Sequence, residues 1–407
     1  MKRFFITPDI QTAIGALAVD PTIIIVCIDK SSVIETLQKR GYLIFSYEQK
    51  TGKTILRNSK LLLMQPETKD FINAFNESKE FIFFKPLILP AKLLLEYRNP
   101  KILNNSADLS AQLENKLYLK NFEVKTPSEI SNVLDFPVVL QFETGYAGNS
   151  TFIVHNDNDL QTLISSKQTK YKIVEFIKNI GTYTNNCFCS DEKIFVSEPF
   201  FQYTGIIGLT RTKLGSCGNN FFTNIDQNIK NSIYEYSNKI GKHLLTLGYK
   251  GAYGIDFVLS DKNEIYVIEI NPRFTASVSF FTQLENISKT QSFFEKQINL
   301  FEGQKIENNY DSSLRGKRLL VRNDSFESKT VRSKYKSGIY KIENEKFVYL
   351  REEFFVKELK ENEVLLFIKD DGFIATPETD IINLYTLEDI SEEILINALI
   401  NLKNQII

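Results

Sequence analysis

The sequence has no tryptophan, two histidines (His155 and His243), four cysteines and two methionines in 407 residues. Two distant histidines are too few for a histidine-ligated metal centre, or for a relay that needs a placed imidazole base. Any metal site should therefore use oxygen ligands. Cys27, Cys187, Cys189 and Cys217 are too scattered for a disulfide framework. Cys187 and Cys189 lack the second pair that a zinc site needs, and read as neighbours on one strand face. No apolar run approaches the ~18 residues of a membrane span. The start, Met1-Lys2-Arg3-Phe4-Phe5, lacks the apolar stretch and cleavage site of a secretory leader. A cytoplasmic protein with no membrane association is expected. Net charge is absent as a signal too: 49 Lys and Arg stand against 50 Asp and Glu, a formal charge of -1. No nucleic-acid partner is indicated.

What is present suits a folded chain: 43% hydrophobic and 24% charged residues. At roughly 100–200 residues per domain, the length predicts two or three domains. Residues 22–28 are β-branched and end in Asp29, as a buried parallel strand does. Residues 31–40 have helical spacing at Val33, Ile34 and Leu37, with Ser31 or Ser32 as cap and Gly41 beyond the end. Residues 43–45 and 80–84 read as further strands. This alternation predicts a Rossmann-like parallel layer, and without G-x-G-x-x-G after its first strand it is not expected to bind a dinucleotide. Residues 106–121 read as a helix bearing Lys116 and Lys120. Strands are expected at 138–140, 151–154, 173–177 and 195–199, and a helix at 228–247, ending at Gly248. Beyond residue 305 the chain is charged and strand-like (339–350, 354–360, 364–368), closing with a helix at 387–405. Domains are expected at 1–105, 106–305 and 306–407.

The most informative stretch is Gly251-Ala252-Tyr253-Gly254-Ile255-Asp256-Phe257-Val258-Leu259, followed after a polar turn by Glu264-Ile265-Tyr266-Val267-Ile268-Glu269-Ile270-Asn271-Pro272-Arg273. With Lys262 and Asn263 as the turn, Val258 faces Val267 and Asp256 faces Glu269. Asp256, Glu269 and Asn271 then share one face, while Ile255, Phe257, Ile268 and Ile270 share the other. Directly opposed carboxylates repel unless something positive lies between them. Magnesium suits that gap, since it takes carboxylate and amide oxygens together with substrate phosphates; solvated strand acids are the alternative. Arg273 could hold a phosphate or a developing oxyanion, or be structural. The small-residue loop from Gln141 to Thr151, with Gly145 and Gly148, reads either as a phosphate cradle or as a plain hairpin loop. The segment Val174-Glu175-Phe176-Ile177-Lys178-Asn179-Ile180-Gly181 reads as a strand running into a loop, or as a plain edge strand.

The order of these elements resembles the ATP-grasp superfamily, which includes biotin carboxylase, D-alanine–D-alanine ligase and many amino-acid and peptide ligases. The similarity covers about residues 100–280 and is strongest at 251–277. It implies an α/β and α+β architecture: an ATP-grasp domain of two subdomains clamping ATP, an N-terminal Rossmann-like pre-ATP-grasp domain, and a small C-terminal β-rich domain. By the same resemblance Lys116 is a phosphate-binding lysine ahead of the turn Thr126-Pro127. The loop with Gly145 and Gly148 closes over the ATP phosphates, and Glu175, Phe176 and Ile177 form the hinge along the adenine edge. Asp256, Glu269 and Asn271 become ligands of Mg2+, or of Mn2+ in its place, and Arg273 faces an acyl phosphate.

There are departures. The family's second lysine is Gln141 here, which brings no charge to a phosphate. The acid that often binds the ribose hydroxyls is missing, with Asn185 or Asn186 as substitutes. The loop holds less glycine than that of biotin carboxylase, which argues against bicarbonate chemistry on biotin. The run from Val196 to Gly205, with Leu209-Thr210-Arg211, is most similar to peptide ligases of secondary metabolism. The implied activity is an ATP-dependent carboxylate–amine ligase, releasing ADP and phosphate through an acyl phosphate. Its substrates would be small molecules: an amino acid, a peptide or a carrier-bound acyl group with an amine, with Thr275, Ser277 and Arg211 as candidate specificity residues. The resemblance also allows a homodimer. The alternative is a catalytically impaired ATP-binding regulator or partner subunit.

Overall fold

The computed structural model describes residues 1–407 apart from Thr144, 146–149, Gln168, Glu192 and 308–312. Gly148, a candidate of the small-residue loop, lies outside the described residues. The chain forms two compact units, one of Met1–Asp108 with Arg273–Ile407, the other of Leu109–Pro272. Among the described residues no helix is long and apolar enough to cross a membrane.

The first unit holds the expected parallel layer. Its five strands run in the order Ile44–Ser46, Ile24–Cys27, Lys2–Ile6, Lys79–Phe83, Lys101–Ile102, all parallel. The middle strand, Lys2–Ile6, was not expected from its short apolar run, yet Phe4, Phe5 and Ile6 are wholly buried. The helix Ser32–Lys39 starts on Ser31, whose hydroxyl accepts the Ile34 N–H at 3.3 Å. In the same unit, Gly15 packs on the helix Val278–Ile287: a Cβ there would lie 2.4 Å from the Ser279 carbonyl oxygen. Five antiparallel strands follow, ordered Lys317–Arg322, Asp380–Thr386, Glu363–Ile368, Gly338–Glu343, Lys346–Arg351. The expected strand at 339–350 is thus a hairpin, turned by Asn344 and Glu345, both at positive φ (49° and 58°). The expected strand at 354–360 instead contains a 3-10 turn, Val356–Glu358.

The second unit contains two antiparallel layers. The smaller has the order Thr151–Val154, Val138–Phe142, Tyr171–Glu175. Val138, Leu140 and Phe142 bury one face with Val154 and with Leu160 of the helix Asp157–Ser166. The larger runs Ile265–Asn271, Gly251–Ser260, Asn179–Cys189, Phe200–Thr204, Ser216–Asn220. The helix Gln227–Thr246 covers it with Ile229, Ile233, Ile240 and Leu244. Residues 179–181, expected in the loop after residues 174–177, instead open the eleven-residue strand Asn179–Cys189. Cys187 and Cys189 do share its core face, and burial pushes the Cys189 thiol up to about 12.

Candidate active site

The acid hairpin forms nearly as expected, with one correction that its core packing explains. Gly254 pairs with Asn271, Ile255 with Ile270 and Asp256 with Glu269, but Phe257 then pairs with Val267 and Val258 with Tyr266. Ile268 is the extra residue of a bulge. Val267, rather than Ile268, therefore joins Ile255, Phe257 and Ile270 in the core. The loop has three residues, Asp261-Lys262-Asn263, not two: Ser260 N–H donates to Glu264 O at 2.9 Å, and Asn263 sits at φ 59°.

The bulge leaves the polar face intact. Asp256 lies opposite Glu269 on one side and Thr184 on the other. The Asn271 amide donates to Asp256 Oδ2 at 3.1 Å. Glu269 accepts from Lys116 Nζ at 2.9 Å, so an ammonium supplies some of the positive charge that the opposed acids need. Among the described residues no three His, Cys, Asp or Glu side chains converge as a complete metal cage. Two carboxylates and an amide are the donor set expected for a hard cation that completes its shell with water and phosphate oxygens, and magnesium fits them on those terms.

Lys116 is positioned by a break in its helix. The expected helix at 106–121 is two pieces, Ala107–Glu114 and a 3-10 turn Lys116–Asn121. Asn115 separates them and caps the second, accepting the Leu117 N–H at 2.9 Å. The turn faces both layers of the unit. Lys116 N–H donates to Glu143 O at 3.1 Å, beyond the end of the strand Val138–Phe142, while its ammonium reaches Glu269 on the hairpin.

Gln141 is buried on the central strand of the smaller layer. Gly145 is required by its surroundings, since a Cβ would come within 2.0 Å of the Ser150 side chain. Glu175 does not point away from the chain as a free acid: its Oε1 accepts the Ser128 N–H at 2.8 Å, and its own N–H donates to Ser128 O at 2.9 Å. Phe176 and Ile177 join the strands Tyr171–Glu175 and Asn179–Cys189, and so connect the two layers. Neither makes a backbone hydrogen bond to another described residue.

Other candidates lie elsewhere. Asn185 is wholly buried and donates to Ser237 Oγ at 2.7 Å, so it packs the sheet on its helix rather than meeting a sugar. Arg273 falls in the first unit, where its guanidinium donates to Phe274 O at 3.2 Å and lies 5.9 Å from the Phe84 ring centre. Thr275 and Ser277 hydrogen-bond each other at 2.8 Å in that unit. Arg211 is exposed between the strands Phe200–Thr204 and Ser216–Asn220. Lys172 was missed. It stands directly across from Gln141, on the face opposite Leu140 and Ile173, and only strand register brings the two together.

Comparison with known proteins fits this geometry. The family model of the ATP-grasp domain matches residues 111–277. Residues 111–277 are an ATP-grasp domain. The match spans Lys116, Gln141 and the acid hairpin. No curated protein matches the chain by sequence. Among solved structures, N5-carboxyaminoimidazole ribonucleotide synthetase from Thermotoga maritima is similar at a TM-score of 0.56 and 15% identity, covering 99% of this chain and 98% of that one. The Aspergillus clavatus N5-carboxyaminoimidazole synthase, in complex with ADP and 5-aminoimidazole ribonucleotide, gives 0.57 and 12%, covering 98% of each chain. The biotin carboxylase domain of the Hydrogenobacter thermophilus 2-oxoglutarate carboxylase, with magnesium ADP and bicarbonate, gives 0.61 and 13%, covering 95% and 86%. At these identities the likeness concerns the fold, which is the ATP-grasp architecture with its parallel N-terminal layer.

Proposed function

We propose that the protein is an ADP-forming ligase that joins a small carboxylate to an amine. The observation that carries this reading is the Lys116 bridge, with its backbone tied to the Gln141 layer and its ammonium on Glu269. A nucleotide lying between those layers meets the Phe176–Ile177 peptide groups at its base. Its phosphates meet Lys116 and the hairpin acids. Asp256, Glu269 and Asn271 would hold Mg2+ or Mn2+, which when bound offsets phosphate charge.

The chemistry asked of the chain is mostly positioning. The substrate carboxylate attacks the γ-phosphorus and expels ADP, forming an acyl phosphate. The amine then attacks the acyl carbon, and phosphate leaves with the C–O bond pair as the amine sheds a proton. Lys116 neutralises phosphate charge, and Arg273, by its place after Asn271, is assigned to the acyl phosphate. No protein base of high strength is needed for these steps. Amino acids, peptides or carrier-bound acyl groups of secondary metabolism remain the preferred substrates, in the cytoplasm, with the homodimer as the preferred assembly.

A second reading is favoured by Gln141 and by the burial of Asn185: an ATP-binding regulator without turnover. An ADP-release screen of amino-acid pairs, peptides and carrier-bound acids, with bicarbonate as a separate arm and mass spectrometry of products, tests both. An amide product supports the ligase. ADP release that needs bicarbonate replaces it with carboxylation, and ATP binding with no turnover across the panel supports the regulator.

A further inference from the structure

The smaller layer of the second unit has a cation where its sequence had suggested none. Gln141 and Lys172 are direct cross-strand partners in an antiparallel pair, so their side chains leave the same face about 5 Å apart at Cβ. The neighbouring pairs fix which face that is. Leu140 pairs with Ile173, and both belong to the core under the helix Asp157–Ser166. Gln141 and Lys172 therefore project from the opposite face, together with Val139 and Val174.

Lys116 is held against the same end of this layer. Its N–H donates to Glu143 O at 3.1 Å, and Glu143 N–H donates to Lys170 O at 2.9 Å. These two bonds tie the Lys116 turn to the ends of both strands that carry Gln141 and Lys172. Partial burial holds the Lys172 ammonium below its ordinary range; Glu129 acts the other way, and Lys116 and Lys120 push it lower still. Lys116 is spoken for by Glu269, but among the described residues Lys172 makes no ion pair. A half-buried ammonium beside two further lysines costs stability unless an anion enters.

We propose that Lys172 supplies the phosphate-facing cation of this site from the strand next to Gln141, so that Gln141 and Lys172 together bind one polyphosphate. The glutamine side chain donates its amide N–H, and the lysine brings a point charge. This rests on the ATP-dependent reading of the same site and names the residue that compensates for its uncharged position 141.

The test uses the full chain, with calorimetry against magnesium ATP and, separately, against inorganic tripolyphosphate. Lys172→Met is expected to weaken both by about tenfold or more. Its melting temperature without ligand should stay the same or rise, because a mutually repelling charge is gone. Gln141→Lys in the Lys172→Met background should restore most of the affinity, and Lys172→Arg should keep it. Unchanged affinity in Lys172→Met overturns the proposal and leaves the ATP reading standing. So does unfolding or a lowered melting temperature, since that assigns Lys172 to the empty fold. Wild-type protein that binds tripolyphosphate through Lys172 but not ATP keeps the proposal and removes the ATP reading. Binding of neither removes both.

Discussion

Two charged clusters in this molecule are built in opposite ways. In the first unit, Lys369 Nζ donates to Asp9 Oδ2 at 2.8 Å, Arg57 lies 3.8 Å from the same carboxylate, and Asp29 accepts the Ile10 N–H at 3.1 Å. Asp29 and Lys369 are buried. Burial and then the Asp9 charge push Asp29 up to about 7. Burial would raise Asp9 as well, but Lys369 and Arg57 outweigh it and hold Asp9 down at about 2. One acid is thus paired and the other keeps its proton, so the cluster is balanced from inside. In the second unit, Asp256 and Glu269 face each other across a hairpin, with the Asn271 amide on Asp256 and the Lys116 ammonium on Glu269. The first cluster is a structural one, and the second is the one proposed to bind.

The sharpest way to break this contrast is at the hairpin. Asp256→Ala or Glu269→Ala should lower ADP formation about a hundredfold or more, with an unfolding free energy close to wild type. Steady-state ADP release and urea denaturation measure the two sides. At the other cluster the pattern should invert. Lys369→Met leaves Asp9 and Asp29 facing Arg57 alone, and should cost about 3 kcal/mol in urea unfolding. Lys116→Met should be milder than the acid variants, slowing ADP release about tenfold, because the hairpin ligands survive it.

The smallest effect expected is a pH slope. The folded state holds the Asp29 proton up to about pH 7, whereas the unfolded group ionises near 3.8. The stability due to Asp29 is therefore full below about pH 4 and fades as pH rises through 7. Asp29→Asn should lose that slope and gain relative stability above pH 7 in pH-dependent urea melts. Glu285, which burial pushes to about 8, gives a slope of the same sign in both proteins, so the difference isolates Asp29.

Much of this was legible where signals are local. The β-branched run before Asp29, the Ser31 cap and the Asp256–Glu269 pairing follow from periodicity and turn chemistry, and the structure has all three. What escaped depended on distant partners. Residues 179–181 read as the loop after residues 174–177, and the polar Thr184, Asn185 and Asn186 give no strand signal between them and Cys187. Thr184 donates to Ile255 O at 3.0 Å and Asn185 to Ser237, so their polarity is satisfied across the fold. The break at Asn115 is a cap inside a helical pattern, and the bulge at Ile268 inserts one residue without changing which acids meet. Lys172 was invisible until pairing set it against Gln141, since only register names cross-strand neighbours.

The hairpin acids are proposed to form a metal–nucleotide site. Calorimetry of ATP with and without magnesium, on wild type and on the double variant Asp256→Ala/Glu269→Ala, tests it most directly. The wild type is expected to bind ATP in a magnesium-dependent way, and a double variant that melts at a similar temperature is expected to lose that binding. Equal binding by the two proteins, or wild-type binding indifferent to magnesium, would contradict it.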